Sequence, residues 1–161
     1  GLMGSLLYPV HVCAAVRSED PLGRRGPIDI REIAGCPLLV LRRGFGSREW
    51  LESACLAAGL QPSILLESAS HNAVLALVKG GYGIGILPSA LVSRPDGVRL
   101  VPLLDRDRPL GRWTMLAWSP RRSLPPYAGA FVRELVAFAR HRFPGREVVE
   151  KAPAIRRPDS D

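Results

Sequence analysis

Apolar and polar positions fall into short alternating blocks along this chain. Residues 6–16 (LLYPVHVCAAV) are apolar and rich in β-branched and small side chains, which predicts a strand. Asp20-Pro21 and Gly26-Pro27 mark turns after it. Asp29 and Glu32 have the spacing of a capping box, which opens a short helix over residues 30–34. A buried strand follows over residues 38–41. Ser47 then stands as the N-cap of a helix from residue 48 to about 58, with Trp50, Leu51, Ala54, Cys55 and Ala58 on one face and Gly59 as its stop. Residues 64–67 read as a strand, and Ser70 caps a helix over residues 71–79 with Val74, Leu75 and Val78 inward. Strands are predicted over 82–87, 98–103 and 113–118. A last helix spans residues 127–143, with Phe131, Leu135, Val136 and Phe138 as its core face. From residue 144 the pattern fades into a charged, proline-containing tail expected to be disordered. Strands and helices alternate, so the class is α/β with a mostly parallel sheet.

Composition narrows the picture. With 161 residues, 47% hydrophobic and 23% charged, the chain has material for one cored domain. No apolar run approaches the ~20 residues of a membrane helix. No basic stretch precedes the first apolar run, so a secretory leader is not expected and a cytoplasmic setting is. The net charge is +7, carried almost wholly by arginine. These arginines are scattered without interleaved aromatics, so most are read as solvated surface rather than a nucleic-acid stripe. Cys13, Cys36 and Cys55 are odd in number and widely spaced, a poor disulfide or metal pattern, and are read as reduced thiols.

The most informative local feature is Gly44-Phe45-Gly46-Ser47-Arg48. A strand runs into a glycine-bearing loop and then a helix start, where free N–H groups and the helix dipole favour an anion. Arg43 or Arg48 adds charge and Ser47 a hydroxyl. The spacing fits neither a Walker A loop nor the dinucleotide fingerprint. Gly80–Gly85 (GGYGIG) follows a helix and lies before or within a strand, the wrong order for a phosphate loop. It is read as a tight turn with close backbone packing. His71 lies near Ser68 and Ser70, but no nucleophile elbow and no metal-ligand spacing accompany it, so no cofactor, metal or catalytic set is expected.

Residues 78–88 (VKGGYGIGILP) resemble the "VaaGlGiallP" signature of LysR-type bacterial transcription regulators, with Lys79 and Gly80 in place of small alanine-like residues. Other fragments resemble that family in its order: Asp20-Pro21-Leu22, residues 28–34, residues 38–48, Ala58-Gly59-Leu60-Gln61-Pro62 and residues 67–78. Together they span about residues 6–140. The resemblance implies a fold like the type II periplasmic binding proteins, two α/β lobes holding a small molecule between them. Residues 1–16 would be the strand crossing from lobe one, 17–100 lobe two, 101–143 the return to lobe one and 144–161 a tail. The family's DNA-reading winged helix-turn-helix and the first part of lobe one are expected to lie outside this chain.

The resemblance also implies an effector site. Arg43, Gly44, Phe45, Gly46, Ser47 and Arg48 would line the cleft, with Phe45 as an apolar wall and Gly46 and Ser47 facing an anion, a carboxylate by preference. Ser68, Ser70 and His71 form the second candidate cluster. The function implied is effector sensing, with a homo-dimer or higher oligomer as the assembly and no membrane partner. A stand-alone solute-binding protein and a small α/β hydrolase using Ser70 or Ser47 with His71 are the alternatives. Apolar surface on the crossing strands and on the last helix is expected to lack cover and to promote association.

Overall fold

A computed structural model describes residues 3–91, 96–121 and 124–158. In chain order its elements are β1 (Met3–Arg17), β2 (Ile28–Asp29), α1 (Ile30–Ile33), β3 (Leu38–Leu41), α2 (Gly46–Ala57), β4 (Ile64–Ser68), α3 (His71–Lys79), β5 (Ile84–Pro88), β6 (Val98–Asp105), β7 (Arg108–Pro109), β8 (Gly111–Trp118), α4 (Pro126–His141) and α5 (Arg146–Val149). Asp29 caps α1 in a complete capping box: its carboxylate accepts from Arg31 N–H, and Glu32 reaches back to the Asp29 N–H.

The strand order is β2-β6-β1-β5-β3-β4, with β7 against β6 and β8 against β1. The sheet is mixed rather than mostly parallel. The β3–β4, β3–β5 and β2–β6 pairs are parallel, but β1 runs against β5, β6 and β8, and β7 runs against β6. The cause is the long β1. Residues 12–17 pair with β5 and β6, while residues 3–11 pair with β8. Local periodicity reveals strands but not the direction from which a distant partner arrives.

Two apolar layers flank this sheet. Val12, Ala14, Leu38, Val40 and Ile86 pack with Leu51 and Cys55 of α2 on one face. Ala15, Leu39, Leu41 and Leu87 pack with Val74 and Val78 of α3 on the other. All four residues of β3 are therefore buried, which explains why LLVL shows no alternation. Gly83 and Gly85 of GGYGIG serve close packing and Gly81 serves the turn. A Cβ on Gly85 would stand 2.9 Å from Val78 and 3.1 Å from Ala15. The β5 strand starts at Ile84, two residues later than expected, because Gly81 at φ +79° still belongs to the turn.

The last helix departs from expectation. In α4 only Ala139 is fully buried. Leu135 and Val136 are half-buried, but Tyr127, Phe131 and Phe138 are 77%, 63% and 58% exposed. The helix rests on the sheet through the face carrying Val132, Val136 and Ala139, one turn apart, so the two phenylalanines turn outward. Residues 3–9 of β1 are likewise exposed or half-buried. The expected lack of apolar cover is thus present over residues 3–9 and on α4, whereas residues 10–16 of the crossing strand, expected to share it, are buried between β5, β6 and the flanking helices.

The segment after residue 143, expected to be disordered, is folded through residue 158; residues 159–161 of that tail and residues 1–2 of the crossing strand lie outside the described residues. It forms α5 and then lies along β1 and β8. Trp113 Nε1 donates to Ile155 O at 3.2 Å, and His11 Nε2 meets Pro153 O at 2.9 Å. These partners sit far away in the sequence, so a composition rich in charge and proline masks a docked segment.

His11 is wholly buried, and its Nδ1 has no partner among the described residues. Burial pushes its pKa below the ordinary imidazole value, against a weaker upward pull from the Pro153 carbonyl. A base depressed in the folded state is stabilising above its unfolded pKa, about 6.5, and that stability is lost as the pH falls below it. Unfolding free energy is therefore expected to fall on acidification, by at most about 1.4 kcal/mol per pH unit from this group. Urea melts across this range should show a flatter profile for His11→Gln, whose amide donates without titrating. An equal slope in the variant would clear His11 of the effect.

Candidate functional site

The sheet topology brings the two predicted clusters together. Strands β3 and β4 are parallel neighbours, and Leu41 pairs with Ser68 at their carboxyl ends. Arg42 N–H donates to Ser68 O at 2.9 Å, closing the ladder there. From this end β3 leads into α2 on one face of the sheet, and β4 leads into α3 on the other. Adjacent parallel strands whose connections leave to opposite faces open a crevice between their carboxyl ends. Residues 43–48 form one wall of it and residues 68–71 the other.

The first wall differs in detail from expectation. Helix α2 begins at Gly46, with Phe45 rather than Ser47 as its N-cap and no side-chain cap bond. Gly44 at φ +95° turns the chain early enough to start the helix there. An uncapped first turn leaves N–H groups without side-chain acceptors. Ser47 falls inside that turn, is 2% exposed, and its hydroxyl has no partner among the described residues. Phe45 is half-buried against the α3-side apolar layer, and Gly44 is exposed.

Arg48 is 3% exposed and tied on both sides. Its Nη2 lies 2.9 Å from Glu52 Oε1 and 2.8 Å from Glu67 Oε1, while among the described residues Nε and Nη1 lack partners. It therefore stitches α2 to the end of β4 rather than projecting into solvent. Arg43, largely exposed, lies 3.4 Å from Glu52. Slight burial lifts the Glu52 carboxyl, but the Arg48 hydrogen bond and charge, followed by Arg43, outweigh it and leave the group below the usual carboxylate range. Glu52 lies four residues after Arg48, a spacing legible in the sequence as a helix pair. Glu67 as the second partner was not legible, because it comes from another strand.

The second wall is built by serine. Ser70 caps α3, its hydroxyl accepting from Ala73 N–H at 3.4 Å, and Ser68 Oγ accepts from Ser70 N–H at 3.0 Å. His71 is the first residue of α3 and half-buried, and no hydrogen bond joins it to either serine among the described residues. Cys13, Cys36 and Cys55 are free thiols; Cys13 and Cys55 are buried and Cys36 half-buried. Burial raises the Cys13 thiol pKa beyond the range in which it ionises, which leaves it inert. No group of three or more potential ligands for a metal exists among the described residues. Among them also, no helix is long and apolar enough to cross a membrane.

Comparison with known proteins agrees with this architecture. Residues 1–140 match the family described as the LysR substrate binding domain. The HTH-type transcriptional regulator CysB of Burkholderia cenocepacia is 30% identical over 95 residues, which are 58% of this chain and 30% of CysB. The chain thus spans less than half the length of the curated relatives it matches. Among solved structures, the regulatory domain of CcmR from Synechocystis in complex with 2-PG aligns with a TM-score of 0.74 at 20% identity, covering 87% of this chain and 68% of that one. The effector binding domain of QuiR in complex with shikimate aligns at 0.68 and 20% identity, covering 88% and 67%. The motif order, the crevice-forming topology and the match across residues 1–140 agree: this chain belongs to the LysR substrate-binding domain family.

Proposed function

We propose that this chain is the metabolite-sensing part of a LysR-type transcription regulator and binds a small anion, a carboxylate by preference, in the crevice between the carboxyl ends of β3 and β4. One observation carries the reading: two helix starts, one of them uncapped, converge on a crevice whose wall holds a buried hydroxyl without a partner. Helix N-termini favour negative charge. Gly44, Phe45 and Gly46 would contact the ligand from one side, and Ser68, Ser70 and His71 from the other. Arg43 would contribute charge by leaving Glu52. Ser47 would supply its hydroxyl, and Arg48 would hold the two walls in register. The structures of CcmR with 2-PG and QuiR with shikimate support a small-molecule role. DNA contact would fall to a separate domain, the protein would act in the cytoplasm as a homo-oligomer, and no step is catalytic. The hydrolase alternative, Ser70 or Ser47 with His71, is disfavoured because among the described residues the Ser70 hydroxyl caps α3 and the buried Ser47 hydroxyl makes no hydrogen bond to His71.

The test is thermal unfolding against a panel of small carboxylates, aromatic acids and neutral metabolites. A ligand bound only by the folded state raises the midpoint by mass action. Ser47→Ala separates site from scaffold. Without ligand it removes an unpaired buried hydroxyl, so stability is expected to hold or rise by about 1 kcal/mol. With an acid that shifts the wild-type midpoint, the variant should show a smaller shift. Midpoints unchanged across the whole panel, or a ligand shift untouched by both Ser47→Ala and Phe45→Ala, would count against the crevice.

A further inference from the structure

Strand β1 changes partners at His11. Its last pair with β8 is His11 with Gly111, and its first pair with β5 is Val12 with Pro88. His11 thus marks the junction between the two halves of β1, and the C-terminal segment crosses that junction. Phe143 stacks on Tyr8 on the β8 side, with ring centroids 5.0 Å apart. Gly145, at φ +75°, lies so close to Ser89, just after β5, that a Cβ on it would stand 2.3 Å from Ser89 O. Helix α5 then touches β1 and β6. Ile155 returns to the β8 side and presses on Gly111, where a Cβ would meet its Cδ1 at 2.4 Å. The crossing segment lies beyond residue 140, where the family match ends.

A titratable ring sits under the middle of this crossing. A carbonyl only accepts, so the 2.9 Å contact with Pro153 O puts the proton of neutral His11 on Nε2. Nδ1 is then a bare lone pair, buried and without a partner among the described residues. A second proton would make a buried imidazolium whose new N–H meets no acceptor. The groups around it offer little relief. From β1 comes the Cys13 thiol, which stays protonated. From β8 comes Arg112, itself a cation, whose Nη1 donates to Gly111 O at 2.8 Å. After β5 comes the Ser89 hydroxyl, already accepting the His11 backbone N–H. Arg140 and His141 of α4, Glu147 and Glu150 of α5, and Lys151 and Arg156 after it are all exposed. Water reaches the Nε2 edge of the ring when the segment carrying Pro153 leaves.

We propose that residues 143–158 form a strap across the β1 junction, latched by neutral His11 and released when that ring takes up a second proton. Docked, the strap ties the β8-paired half of β1 to the turn after β5; released, it leaves the halves joined by β1 alone. This inference does not depend on the crevice. Docking lowers the affinity of His11 for a proton. Docking is therefore strongest above the ordinary imidazole pKa of about 6.5 and weakens below it, at most about tenfold per pH unit.

The amides of residues 148–152, hydrogen-bonded within α5 and the turn after it, report docking, because so short a helix has no stability of its own. Their hydrogen-exchange protection, referred to the unstructured rate at each pH, is expected to fall about 10-fold between pH 7.5 and 5.5 in the wild type, while circular dichroism shows the sheet intact. His11→Gln, whose amide donates to Pro153 O without titrating, should keep its protection across this range. Reciprocally, Gly145→Ala drives a methyl into Ser89 O and should loosen the strap. The His11 titration, followed by NMR with His71 and His141 as internal references, should then move back towards about 6.5. Trp113→Phe, which drops the 3.2 Å bond from Nε1 to Ile155 O, is the second strap variant. Equal protection at both pH values in the wild type, an equal loss in His11→Gln, or a His11 titration unmoved in the strap variants overturns the proposal.

Discussion

Truncating Glu52 and Glu67 together to alanine is expected to lower the unfolding free energy by about 3–5 kcal/mol, far more than the sum of the two single changes. The reason lies with the residue that stays behind. The Arg48 side chain is 2% exposed, and one guanidinium nitrogen meets both carboxylates, at 2.9 and 2.8 Å. Either acid alone still offsets the buried charge, so Glu52→Ala or Glu67→Ala should each cost about 1 kcal/mol, in keeping with their partly exposed carboxylates. With both gone, a buried cation has no counter-charge, and two of its nitrogens already lack partners. Arg48→Met removes the cation instead and fills a similar volume with apolar atoms, so it should cost less than the double variant or nothing. Urea denaturation of the four proteins checks the pattern. Additive single effects with a total below about 1 kcal/mol would mean that Arg48 reaches water on relaxing. The same variants probe function, because Arg48 joins the two walls of the crevice. Arg48→Met should fold well yet respond less to an anionic ligand, since the register of α2 against β4 would no longer be fixed by a shared ion.

Much of this was legible where the signal is local. Ser70 placed the start of α3 and Gly80 its end, because a serine N-cap and a C-terminal glycine act within one turn. Asp29 and Glu32 placed α1 for the same reason. Short apolar β3 was recognisable as a buried strand. Ser47 misled, since it has the chemistry of a cap but Gly44 lets the helix begin before it. The crevice was legible only as two separate loops; their adjacency comes from the β3–β4 pairing, a contact between residues 27 apart such as Leu41 and Ser68. Arg48 was visible as a charge, but not as one sealed inside. The docked segment after residue 143 was least legible, because its anchors are a carbonyl at Pro153 and another at Ile155, which any residue supplies. The outward turn of Phe131 and Phe138 follows the same rule. Amphipathic spacing tells that a face exists, while its cover depends on what the rest of the structure places opposite.

Gly83→Ala is expected to destabilise the domain by about 2–3 kcal/mol, although it adds a single methyl group at a half-buried turn. A Cβ at this position would stand 2.3 Å from Pro37 O and 3.1 Å from Pro37 C, both backbone atoms. That oxygen is not free to retreat, because it accepts the Ile84 N–H at 2.9 Å and so starts the β3–β5 ladder, where Leu38 pairs with Ile84. Relieving the clash means moving the first rung of two central strands, or losing the hydrogen bond that defines it. Gly80, three residues earlier in the same motif, makes the control. It has φ −69°, and a Cβ there would meet chiefly the ring of Tyr82, an exposed side chain that can swing away. Gly80→Ala should therefore stay within about 0.5 kcal/mol of wild type. Thermal or urea unfolding of the pair distinguishes a steric requirement at one atom from a general need for flexibility in the turn. Similar losses in both variants would favour flexibility. A large loss confined to Gly83 would explain physically why this position of the family-like signature carries glycine, while the position of Gly80 accepts a side chain.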